Sequence, residues 1–78
     1  MSASGAFLIY CLELYRRARR LTGREAYDLF RRTGADEYVR ASFGALHTMG
    51  DQYILDDIEE FLYPIEAVPH ERRISRET

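Results

Sequence analysis

Two histidines, one cysteine and a group of acids are the side chains in this 78-residue sequence whose chemistry would extend beyond packing. His47 would act as a general base or metal ligand only with a second group beside it. No other histidine stands at ligand spacing, and His70 lies in the C-terminal tail. The favoured reading is structural: a histidine near a helix end, bonding the last carbonyls before Gly50. Cys11 would need a base and an electropositive setting to be a nucleophile. It sits in the densest apolar run of the chain, and reads as core. Asp56 and Glu60 stand one turn apart, but nothing near them supplies the remaining ligands of a cation. They read as a solvated acidic face or as a patch that docks a basic partner. The sequence holds no phosphate-binding loop, dinucleotide fingerprint, Ser-His-Asp order or paired-cysteine motif. No catalytic residue, cofactor or metal is expected, and the chain is not expected to be an enzyme. A domain this small rarely closes a substrate pocket.

All 11 basic residues are arginine. Arginine makes bidentate contacts to carboxylate and phosphate that lysine cannot. Arg16, Arg17, Arg19 and Arg20 invite a nucleic-acid reading, but the net charge of −2 opposes it. The charge is also divided along the chain. Residues 1–40 carry eight arginines against five acids, residues 41–63 carry five acids and no arginine, and residues 64–78 balance. Two helices and a glycine-bearing turn lie between Arg24 and His47. The second of them opens with Asp36 and Glu37, at the end that would enter a DNA groove, where phosphate repels acids. Nucleic acid is therefore a disfavoured partner. One cysteine forms no disulfide framework, which suits a reducing compartment. The apolar run from Ala6 to Leu12 is too short to cross a bilayer. It also lacks the basic flank and cleavage site of a secretory signal. A cytoplasmic, membrane-free protein is expected.

The elements that must hold these residues are helices. Periodicity predicts a first helix from about Ala6 to Arg20, with Phe7, Tyr10, Cys11, Leu14, Ala18 and Leu21 on one face. Leu8, Leu12 and Tyr15 form a second apolar row. Such a helix is central in its bundle or buries its far side against a partner. Thr22 and Glu25 have capping-box spacing, so a second helix runs to about Thr33, and Gly34 ends it. A third is predicted from Asp36 to Thr48, and a fourth from Asp51 to Leu62 with Pro64 as its stop. The expected fold is all-α: a compact single-domain array of about four short helices over residues 1–63, with a polar tail over 64–78 that is flexible alone or ordered on a partner. In the third segment Ala41, Gly44, Ala45 and Thr48 form a row of small residues. It would serve as a docking groove for a partner or as the place where the first helix packs.

The runs FLIYCLELY, LTGREAYDLF and ALHTMGDQYILDDIEEFL resemble the short bacterial proteins grouped as domain-of-unknown-function family 3791. The likeness covers Phe7 to Leu62. Its most specific piece is Leu46-His47-Thr48, then Gly50, Tyr53-Ile54 and Asp57-Ile58. The resemblance implies no activity. It implies a two-gene module in which the neighbouring gene encodes an ADP-ribosyltransferase-like protein, as in a toxin–antitoxin pair. The expected function is a non-catalytic protein-binding module, an antitoxin-like or accessory partner of that neighbour. The partner-binding residues expected are Leu8, Leu12 and Tyr15 on the first helix, Ala41, Gly44 and Ala45 in the small row, and Arg72, Arg73 and Arg76 in the tail. Six tyrosines, a type enriched at interfaces, support the reading. The rivals are a small DNA-binding regulator and a homo-oligomeric structural protein.

Overall fold

The computed structural model describes residues 2–66. The expected all-α class is what the chain adopts, in five helices: α1 Ala3–Arg19, α2 Gly23–Thr33, α3 Ala35–Ala41, α4 Phe43–Leu46 and α5 Asp51–Glu66. No strand occurs among the described residues. The tail residues Arg72, Arg73 and Arg76 lie outside that range.

Helix α1 starts a turn earlier than its apolar periodicity predicts. The Ser2 hydroxyl accepts from the Gly5 N–H at 3.0 Å and caps the first turn. At its other end Arg20 takes a left-handed conformation, φ 59°, and the Leu21 N–H returns to the Arg16 carbonyl at 2.8 Å. This closes the last turn as a glycine would. The capping box of α2 forms in both directions: Glu25 N–H to Thr22 Oγ1 at 3.0 Å, and Thr22 N–H to the Glu25 carboxylate at 2.8 Å. Gly34, at φ 82°, is the single residue between α2 and α3.

Two expectations need correction. The predicted third helix is broken at Ser42, whose ψ of 8° is not helical. Ser42 N–H bonds back to the Tyr38 carbonyl, while its own carbonyl accepts from Ala45 and Leu46 and so starts α4. Serine competes with helical backbone for hydrogen bonds, and Gly44 follows closely, so this is the weak point of the segment. The break leaves Phe43 edge-on to Phe7, with ring centroids 5.6 Å apart. Pro64, expected as a stop, instead lies inside α5, which runs to Glu66. Proline removes one N–H, the donor that would meet the Glu60 carbonyl. Glu60 and Pro64 are both exposed, and a helix end open to solvent tolerates one missing bond.

Helix α1 is the central element and touches α2, α3 and α5. It contributes Phe7, Cys11 and Tyr15 to the core, spaced four residues apart on one face. Against them pack Leu29 and Phe30 of α2, Ala35 and Val39 of α3, Leu46 of α4, and Ile54, Ile58 and Leu62 of α5. Polar contacts tie α5 across the top of this core. Tyr10 donates to Asp51 and Arg19 pairs with Glu59, so α1 and α5 run in the same direction.

Candidate functional site

The core closes over Cys11 and leaves His47, Asp56 and Glu60 outside. Cys11 is fully buried, and burial pushes its thiol up to about 12, which leaves almost no thiolate at neutral pH. His47 is exposed and lies flat on Phe43, with ring centroids 4.3 Å apart. Its Nδ1–H donates to the Phe43 carbonyl at 2.7 Å, the helix-end role its position predicts. Asp56 accepts from Gln52 at 2.9 Å. No group of three His, Cys, Asp or Glu side chains among the described residues is arranged to hold a metal.

The arginines at the end of α1 are largely engaged within the domain. Glu13 accepts two bonds from Arg16, at 2.9 and 2.8 Å, and one from Arg17 at 2.9 Å. Those bonds, Arg16 first, hold the Glu13 carboxyl below its ordinary pKa. Arg19 turns the other way, to Glu59 on α5. On α2, Arg24 pairs with Asp28 and Arg31 with Asp36. A single basic surface is not what this arrangement presents.

The partner-binding residues expected from the sequence divide sharply. Tyr15 is 3% exposed, its ring 5.6 Å from that of Phe30, so its side chain is part of the core and not a contact surface. Tyr15 departs from the second apolar row of α1: it lies four residues after Cys11 and shares its buried face. Leu8 and Leu12 are half-buried against the core. Ala41, Gly44 and Ala45 are exposed, and a Cβ on Gly44 would meet nothing within 4 Å. The first helix therefore does not pack on the small row. The break at Ser42 also divides that row between α3 and α4.

The large exposed side chains lie mostly elsewhere. On α1, Ile9 is 53% and Tyr10 is 47% exposed; on α5, Tyr53 is 53% and Tyr63 is 66% exposed. The sequence reading missed Ile9 and placed Tyr10 in the core. A helical wheel exposes the first error, since Ile9 lies roughly 160° around α1 from Cys11. Tyr10 sits at the margin of the core face, with its hydroxyl held by Asp51, whose bond raises the phenol pKa. On α5 the residues Tyr53, Asp56, Glu60 and Tyr63 share the face opposite Ile54, Ile58 and Leu62. Beside them Tyr38 of α3 stacks on Phe61, with centroids 4.5 Å apart, and donates to Asp57 at 2.5 Å. That bond, with burial, raises the Tyr38 pKa.

Open hollows accompany these surfaces. One of about 520 Å³ is lined by Asp56, Glu59, Glu60, Tyr63 and Pro64. Another, of about 350 Å³, lies between α1 and α2 and is lined by Tyr15, Arg19, Leu21, Glu25, Leu29 and Arg32.

Residues 6–63 match the family described as protein of unknown function (DUF3791). The chain belongs to this family. The match spans most of α1 and continues into α5 as far as Tyr63, so both outward faces lie within the DUF3791 region. No curated protein and no solved structure matches the chain. No helix among the described residues is long and apolar enough to cross a membrane.

Proposed function

We propose that this DUF3791 domain is a non-catalytic protein-binding module, an antitoxin-like or accessory partner of an ADP-ribosyltransferase-like protein encoded beside it. The observation that carries the reading is the outward display of large apolar and aromatic side chains on α1 and α5 over a core complete without them. Such side chains form the buried centre of protein interfaces. The class of partner comes from the family resemblance alone. The expected site on α1 centres on Ile9, flanked by the half-buried Leu8 and Leu12. Ala41, Gly44 and Ala45 remain an accessible small-residue surface, while Tyr15 acts through the fold. A single buried thiol suits work in the reducing cytoplasm. Binding by occlusion asks no chemistry of this chain, in keeping with an inert Cys11 and a histidine committed to a helix end.

The test is co-expression with the adjacent gene product, followed by purification through a tag on one member. The pair is expected to co-purify. Ile9→Ser is expected to weaken the complex about tenfold, which is about 1.4 kcal/mol. The thermal midpoint of the free domain should stay nearly unchanged. Separate elution at micromolar concentration would defeat the proposal. Tight, steeply salt-dependent binding to promoter DNA would favour the regulator instead.

A further inference from the structure

We infer that the outer face of α5 docks arginine side chains of a partner protein, in two cradles built from a tyrosine ring and neighbouring carboxylates. The inference rests on the binding-module reading and adds the chemistry of the contact.

The domain itself shows twice how such a cradle holds a guanidinium. Arg19 lies over the Tyr15 ring, 5.8 Å from its centroid, and pairs with Glu59 at 2.9 Å. Arg31 lies over the Tyr27 ring at 5.9 Å, donates to its hydroxyl at 3.0 Å, and pairs with Asp36 at 3.2 Å. On α5 tyrosines and carboxylates are neighbours twice more, with Asp56 and Glu60 bonded to no arginine among the described residues. Tyr53 precedes Asp56 and Asp57 by one turn, and with Glu60 these line a hollow of about 200 Å³. Tyr63 follows Glu60 by one turn, beside the hollow of about 520 Å³ whose Glu59 already holds Arg19. Of the five acids between Asp51 and Glu60, only Glu59 pairs with an arginine among the described residues. Asp51 and Asp57 turn to Tyr10 and Tyr38, while Asp56 and Glu60 are exposed on the outer face between two exposed phenol rings.

A guanidinium answers both features at once. It stacks on an aromatic face and forms paired bonds to a carboxylate, whereas an ammonium is a compact, strongly hydrated charge. The two tyrosines are ten residues apart, about 15 Å along the helix axis. A partner helix with arginines about eleven residues apart on one face matches that span, as does an extended strand with arginines about four residues apart.

The experiment titrates the full chain with two synthetic helical peptides, identical except for two arginines or two lysines eleven residues apart. The arginine peptide should bind about tenfold more tightly than the lysine peptide. In Tyr53→Leu/Tyr63→Leu that preference should shrink to within about twofold, and Glu60→Gln should weaken both peptides. All three side chains are exposed, and circular dichroism checks that the fold persists. Equal binding of the two peptides, or none at all, overturns the inference. So does a preference that survives loss of both tyrosines. Replacing Arg72, Arg73 and Arg76 with glutamine should leave peptide affinity unchanged; a rise would assign the cradles to the chain's own arginines. With the co-expressed partner, a complex indifferent to the double tyrosine variant would overturn the inference and leave the binding-module reading standing. Failure of the wild-type pair to associate would remove the binding-module reading, and the peptide preference would then decide the cradles by itself.

Discussion

Ile9 and Tyr15 lie six residues apart on the same helix and have opposite tasks. Tyr15 fills the space between α1 and α2, and its ring meets Phe30. Truncating a buried aromatic removes both transfer energy and packing. Tyr15→Ala is expected to cost about 3–5 kcal/mol, a large share of what so small a domain has. Ile9→Ser should stay within about 0.5 kcal/mol. Urea unfolding followed by circular dichroism separates the two. Similar losses in both variants would mean that Ile9 is covered in solution, and that the outer face of α1 is already occupied. Cys11 belongs with Tyr15: its environment suppresses the thiolate that reactivity requires.

At the scale of elements, the two left-handed residues make a paired prediction. Gly34 adopts φ 82° without a Cβ penalty, whereas Arg20 adopts φ 59° with one. Gly34→Ala should lower stability by about 1 kcal/mol, and Arg20→Gly should raise it by a few tenths to about 1 kcal/mol. Matching signs for the two variants would contradict the role given to the caps. These joints also mark what could be read from residues alone. Thr22, Glu25 and Gly34 announce α2 because capping is a local affair of a few side chains. The buried rows of α2 and α5 are equally plain, since polar residues fill the opposite faces. The break at Ser42 is not, because apolar spacing continues through it and a serine followed by a glycine two residues on does not by itself dictate a bend. Pro64 is ambiguous in sequence for a related reason: a proline near an exposed helix end forfeits one bond without ending the helix. Among the candidate sites, the acids of α5 were visible as one face. Tyr53 and Tyr63 were not marked as its ends, because nothing in a tyrosine's identity states which side of a helix is covered.

At the scale of the molecule, α5 is moored to the rest by side-chain bonds that share one chemistry. Tyr10 bonds Asp51 from α1, and Tyr38 bonds Asp57 from α3. Both phenols are raised above the ordinary value of 10.0, chiefly by these hydrogen bonds, with burial adding. A group whose folded pKa lies above its unfolded one stabilises the fold below the unfolded value. It loses that contribution as pH rises through the folded value. Stability should therefore fall as pH climbs above about 10, and Tyr10→Phe/Tyr38→Phe should flatten that fall. An unchanged alkaline limb in the double variant would place the mooring of α5 elsewhere. These bonds set the outer faces of α5 and α1 on one folded frame, and a surface organised before binding loses less freedom on association.

The most direct measurement of that association is the solution mass of this chain co-expressed with its neighbour, by light scattering across a sizing column at micromolar concentration. A single peak with the summed mass of both proteins is the predicted result. Two peaks at the separate masses, with the helical domain intact in its own, would contradict the account.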